Sequence, residues 1–193
     1  MFSKKYFKDI SEISSNLETN KVDALAKSLK KIRDQKGRIF FLGIGGSAGN
    51  CSHAVNDFRK LCNIESYTPT DNVSELSARI NDEGWKSSFS NWLKVSNLSS
   101  KDCLFIMSVG GGNKKKKVSE NLIEAIKLAK IKKAKIFGIV GYNGGFTGKN
   151  SDISIKIPKI DKNLITPYTE SFQAIVWHCL VSHPLLKINN TKW

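Results

Sequence analysis

His53 and Asp57 stand four residues apart in a polar stretch, SAGNCSHAVNDFRKLC, that follows the apolar run RIFFLG. On a helix that spacing puts an imidazole and a carboxylate on one face, in reach of a common point. Two chemistries use such a pair. A divalent ion such as zinc takes imidazole nitrogen and carboxylate oxygen as ligands, and a carboxylate beside an imidazole can move protons. The same two residues also read as an exposed hydrogen-bonded couple on an ordinary helix. Near the other end of the chain His178 lies between Trp177 and Cys179 in an apolar helical stretch, where a histidine is either a base or a hydrogen-bonded core residue.

Two glycine-rich turns accompany these residues. GIGGSA, residues 43–48, satisfies G-x-G-x-x-A, and SVGGGN, residues 108–113, follows a second apolar run. Glycine lets backbone N–H groups approach an anion closely at a helix N-terminus. A dinucleotide site would need a second strand ending in an acidic residue about twenty positions on. The chain instead places a polar helix containing Asp57 there, and one dinucleotide would not require the second turn. Two such turns better suit a sugar phosphate. Lys114 to Lys117 come directly after the second turn and read as the opening of a helix, where the dipole disfavours positive charge, so either an anion lies nearby or the lysines point into water.

The elements that must position these residues follow from periodicity. Phe2, Tyr6, Ile10, Ile13 and Leu17 recur at helical spacing, as do Val22, Leu25, Leu29 and Ile32 before Gly37. RIFFLG, CLFIMS, KIFGIV and DISIKI are short apolar runs that read as buried parallel strands. Between them lie helical stretches: the one carrying His53, then NVSELSARINDEGWKSSFSNWL, then KKKKVSENLIEAIKLAKIKK, with TPYTESFQAIVWHCLVSHP as a last helix. Strand and helix alternating in this way predict a doubly wound α/β fold with a mostly parallel sheet, residues 37–193, preceded by a helical extension, residues 1–36, in a single domain. Ligands of such sheets bind at the carboxyl ends of the strands, where both glycine turns fall. Trp85 and Trp92, seven apart, are expected to share a buried face.

A chain of 193 residues with 40% hydrophobic content can bury one real core. Its formal charge of +14 is spread along the sequence rather than clustered, so nucleic acid is not an expected partner. The four cysteines, Cys51, Cys62, Cys103 and Cys179, form no CxxC pair and read as reduced thiols of a cytoplasmic protein. No uninterrupted apolar stretch is long enough for a membrane span.

The succession GIGGS, SVGGGN and GIVGYNGG between strands and helices resembles the sugar isomerase (SIS) fold across essentially the whole chain. The N-terminal helix pair, the TDNVSELSARINDEGW segment and a last helix with Glu170 and His178 resemble phosphoheptose isomerase in particular. That resemblance implies conversion of sedoheptulose 7-phosphate to D-glycero-D-manno-heptose 7-phosphate in surface-polysaccharide (lipopolysaccharide) synthesis. It implies Asp57 and His178 as catalytic groups, and zinc held by His53, Asp57, Glu170 and His178. Substrate contacts would come from Gly45, Gly46, Ser47, Asn81, Asp82, Ser108, Val109, Gly110, Asn113 and Glu170. It also implies a homotetramer built on the N-terminal helices. The chain departs from the family in three places: the catalytic glutamate falls on Asp57, a glutamine falls on Glu170, and the second loop lacks three hydroxyls. The other reading of the same fold is a non-catalytic protein that binds a sugar phosphate or a protein partner as a regulator.

Glu170 and His178 are eight residues apart, about 12 Å along an unbroken helix. Both can reach one ion only if Pro167 makes the helix start irregular or late.

Overall fold

The computed structural model describes residues 1–191. Five parallel strands form one sheet in the order β2-β1-β3-β4-β5: β1 (Ile39–Leu42), β2 (Ser66–Tyr67), β3 (Cys103–Ser108), β4 (Lys135–Gly141) and β5 (Ile153–Ile157). The helices are α1 (Phe2–Ser15), α2 (Thr19–Asp34), α3 (Gly46–Cys62), α4 (Val73–Glu83), α5 (Ser88–Val95), α6 (Glu120–Ile131), α7 (Gly145–Asn150) and α8 (Ile165–Ser182). Central strands β1 and β3 are buried along their whole length, which is why they read as continuous apolar runs rather than alternating ones.

The sheet separates two cores. Phe41, Phe105, Met107 and Ile139 face α2, α3 and α8, whereas Phe40, Leu42, Leu104 and Ile106 face α5 and α6. Helix α2 places Val22, Leu25, Ala26, Leu29 and Ile32 in the first core, so its apolar stripe belongs to the α/β body. Helix α1 docks through Ile13 and through Asp9, whose carboxylate accepts hydrogen bonds from Tyr168 (2.9 Å) and Lys5 (2.6 Å). Its Phe2 and Phe7 remain exposed. Under the sheet Asp102 accepts from the Arg38 backbone and guanidinium and from Ser99, tying the start of β1 to that of β3.

Several local expectations are corrected. The segment from Asn72 to Trp92 is two helices, because Gly84 at φ 83° ends α4. Trp85 lies between them, partly exposed against Phe89, while only Trp92 packs edge-on to Phe40. Lys114–Lys117 form a turn closed by a bridge between Asn113 and Val118, and α6 begins at Glu120, since Lys117 (φ 53°) and Ser119 (φ 51°) are left-handed. All four cysteines are free; Cys51, Cys62 and Cys103 are buried. Among the described residues no helix is long and apolar enough to cross a membrane.

Candidate functional site

Strands β1 and β3 are neighbours, but the chain leaves β1 for a helix on one face and β3 for a helix on the other. Their carboxyl ends are therefore the topological switch point at which open α/β sheets bind ligands. Both glycine turns sit there. Gly45 is the N-cap of α3 and Ser47 is buried in its first turn. The Glu170 carboxylate lies against Gly46 at the start of α3, where a Cβ would have to push it aside.

The second loop is braced from behind. The Gly111 N–H donates to Ser108 Oγ at 3.1 Å, while the Gly111 carbonyl accepts from both the backbone N–H and the hydroxyl of Thr147. Phe146 N–H donates to Gly112 O, and Gly141 N–H to Val109 O. A Cβ on Gly111 would collide with the Gly144 carbonyl, so the loop tolerates no side chain there. Val109 and Gly110 form its accessible rim. Asn113 is exposed: its backbone bridges Val118 and its side chain accepts from the Lys116 N–H at 3.0 Å.

Helices α3 and α8 pack side by side, and this brings together His53, Asp57 and His178, one ligand atom of each lying within 4.8 Å of the others. His53 Nε2 is 3.8 Å from Asp57 Oδ2. His178 Nδ1–H donates to the Ala174 carbonyl at 2.8 Å, which leaves Nε2 with its lone pair free to ligate or to take a proton. Two imidazole nitrogens and one carboxylate oxygen in this arrangement fit a zinc-type ion with a position open for substrate. Helix spacing explains the His53–Asp57 half; the His178 half depends on the packing of two helices distant in sequence.

Glu170 stands outside this group. Helix α8 starts at Ile165 and already contains Pro167 in its first turn, so the irregular start that could have turned Glu170 toward His178 does not exist. The Glu170 carboxylate lies at the first glycine turn. Asn81 and Asp82 are exposed on α4, hydrogen-bonded to each other at 2.7 Å, on a helix with no buried residue.

Sequence reasoning missed three residues that shape the α3–α8 seam. Asn50 donates to the Glu170 carbonyl (3.0 Å) and to Gln173 Oε1 (3.1 Å). Trp177, fully buried, meets the His53 ring edge-on at 4.7 Å and stacks on His178 at 3.5 Å. Gln173 Nε2 and Trp177 Nε1 are buried without a hydrogen-bond partner. The available signal was spacing: Asn50 is one turn from His53, and Gln173 one turn from Trp177.

A family model for the SIS domain matches residues 5–141. The chain belongs to the SIS domain family. It is 31% identical over 186 residues to the lincomycin biosynthesis protein LmbN of Streptomyces lincolnensis, covering 91% of this chain and 66%, just under two thirds, of that protein. It is 28% identical over 180 residues to the phosphoheptose isomerase of Cytophaga hutchinsonii, covering 91% of this chain and 84% of the relative. Among solved structures, the phosphoheptose isomerase GmhA of Neisseria gonorrhoeae superposes with a TM-score of 0.80 at 20% identity, over 93% of this chain and 96% of that one, and shows the shared fold. The phosphoheptose isomerase of Aneurinibacillus thermoaerophilus is a further relative, 25% identical over 164 residues, covering 82% of this chain and 77% of that protein.

Proposed function

We propose that this SIS protein is a phosphosugar isomerase that interconverts a ketose and an aldose phosphate, with sedoheptulose 7-phosphate and D-glycero-D-manno-heptose 7-phosphate as the substrate pair. The observation that carries the reading is the convergence of His53, Asp57 and His178 on α3 and α8, the helices that frame the first glycine turn. A non-catalytic sugar-phosphate binder would have no use for that acid–base set. The pathway is surface-polysaccharide heptose synthesis; one relative is named instead for lincomycin biosynthesis.

Ketose–aldose isomerisation moves one proton between neighbouring carbons through an enediol, while the carbonyl oxygen gains and loses a proton. Without an ion Asp57 and His178 Nε2 divide these transfers; His53, Asp57 and His178 would hold zinc, and the Nε2 lone pair would then be on the ion, leaving the proton transfers to the Asp57 carboxylate. When bound, such an ion supplies Lewis-acid polarisation of the substrate oxygen. Asp57 also accepts from Asn56 Nδ2 at 2.8 Å, which fixes one carboxylate oxygen and leaves the other toward His53. The Ala174 carbonyl fixes the His178 tautomer. Ser47, Ser108 and the rim of Val109 and Gly110 anchor the phosphate, and the anchor sets the register of the reacting carbons. Asn81 and Asp82, exposed on α4, would meet sugar hydroxyls only across a neighbouring surface, and Gly45 and Gly46 shape the first turn.

Exposed Phe2 and Phe7 on α1, with the absence of any buried residue on α4, support assembly into a homotetramer. Four free thiols suit the reducing cytoplasm. The test is incubation with a panel of ketose phosphates, followed by NMR. Aldose signals that grow with one substrate and vanish with Asp57→Asn support the reading; no conversion of any ketose phosphate by the metal-loaded protein overturns it.

A further inference from the structure

The tetralysine turn is not absorbed by the isomerase site. Gly112, Asn113, Lys114, Lys115, Gly145, Phe146 and Lys149 line a recess of about 280 Å³ beyond the second glycine loop. It opens on the other side of the sheet from His53, Asp57 and His178: Phe146 packs against the core under α5 and α6, whereas α3 and α8 pack against the opposite core. We propose that this recess is a second anion site, which takes a phosphate-bearing ligand independently of the catalytic group.

The charge is concentrated and uncompensated. Among the described residues no carboxylate pairs with Lys114, Lys115 or Lys149; the nearest acidic residues in sequence, Glu120 and Asp152, pair with Lys86 at 3.3 Å and with Lys135 at 2.7 Å. The turn is also held in shape. Asn113 bridges Val118, Asn113 Oδ1 accepts from the Lys116 N–H, and the Lys117 N–H donates to the Lys114 carbonyl. Four like charges are thereby kept within a few residues of one another, an arrangement that a bound anion relieves. Lys114 Nζ lies over the Phe146 ring at 4.6 Å, which orients one ammonium along the wall. Lys115 and Lys149 are both exposed and flank the opening. Gly112 and Gly145 let their two segments pack backbone to backbone, since a Cβ on Gly145 would meet the Gly110 and Gly112 carbonyls, and the Phe146 N–H to Gly112 O bond of 2.9 Å joins them. Ammonium groups are point-charge donors for phosphoryl oxygens, and three of them with no competing carboxylate favour two adjacent phosphoryl groups over one. Asn113 is therefore assigned to this recess rather than to the substrate rim.

Inorganic pyrophosphate and phosphate are the probes, titrated by calorimetry into full-length protein at low salt. Pyrophosphate is expected to bind saturably and more tightly than phosphate. Lys115→Glu with Lys149→Glu should weaken it by about tenfold or more, since each lost charge-assisted contact is a large factor in affinity. Lys4→Glu with Lys8→Glu, the same charge change on α1, should leave it intact, as should His53→Ala. No saturable pyrophosphate binding, or equal loss in the α1 variant, overturns the second site. Circular dichroism checks the fold of each variant, and Lys115→Ala with Lys149→Ala repeats the test without charge reversal. Because the readout is pyrophosphate affinity, it stands or falls separately from turnover of any sugar phosphate.

Discussion

Replacing His53 by alanine should separate metal binding from folding. The side chain is 60% exposed and its one ion-pair contact is the 3.8 Å approach to Asp57, a surface pair worth about 0.5 kcal/mol. Unfolding a chain of 193 residues carries an entropy of roughly 0.4 kcal/mol per kelvin, so the melting temperature should fall by only about 1 °C. The metal should suffer far more. Disturbing a group behind a ligand already costs about 10- to 100-fold in metal affinity, so removing one of three ligands should raise the zinc Kd by about 100-fold or more. Competition against a chromophoric chelator reads the affinity, and scanning calorimetry of metal-free protein reads the stability. A zinc Kd unchanged by His53→Ala would show that any ion binds elsewhere. A fall in melting temperature of about 10 °C would show instead that His53 is a structural residue of the α3–α8 seam.

Trp177→Leu should lower stability by about 2–3 kcal/mol in denaturant titration, because it shrinks a fully buried side chain. It should also weaken zinc binding, since the indole holds both imidazoles; Trp177→Phe should restore affinity more than stability. Asp102→Asn should cost about 3 kcal/mol, by leaving Arg38 without its buried partner. Burial alone would raise the Asp102 carboxyl, but the Arg38 guanidinium and the Arg38 and Ser99 N–H and O–H donors outweigh it and hold it below the usual carboxylate value. A depressed native pKa gives stability that is fully present above about pH 4 and is lost as pH falls through the native value. Acid unfolding of the wild type should therefore be steep below pH 4 and shallower in Asp102→Asn. Gly111→Asp should fail to fold properly, seen by circular dichroism and thermal melting, since φ is 65° and a Cβ meets the Gly144 carbonyl; Ser108→Ala is the variant that tests the rim without that collision.

Much of the fold was legible because burial dictates composition. Strands β1, β3, β4 and β5 were apparent as apolar runs, whereas β2, two residues at the sheet edge, carries too little pattern to be seen. The α7 helix hid in GYNGGFTGKN, whose glycines look like a turn and are needed for close backbone contact with the second loop. The lysine run looked helical by its neighbours, but the left-handed Lys117 at its end and Ser119 before α6 are a tertiary matter. In the site, the His53–Asp57 pair follows from spacing on one helix, and His178 was reached through the family resemblance. The convergence of His178 on the His53–Asp57 pair depends on α8 lying against α3, a contact between helices more than a hundred residues apart that no local pattern shows. Trp177 left no trace beyond its place beside His178, since a buried tryptophan in an apolar helix reads as core.

The isomerase account is tested most directly by running the reaction in deuterium oxide. Metal-loaded protein is mixed with sedoheptulose 7-phosphate and followed by proton NMR, beside Asp57→Asn. The account predicts aldose heptose 7-phosphate, formed with solvent deuterium entering at the carbon next to the carbonyl. Asp57→Asn should neither form the aldose nor exchange that proton, while keeping its fold. Isomerisation that proceeds at the wild-type rate in Asp57→Asn would contradict the assignment of the proton transfers to the His53, Asp57 and His178 group.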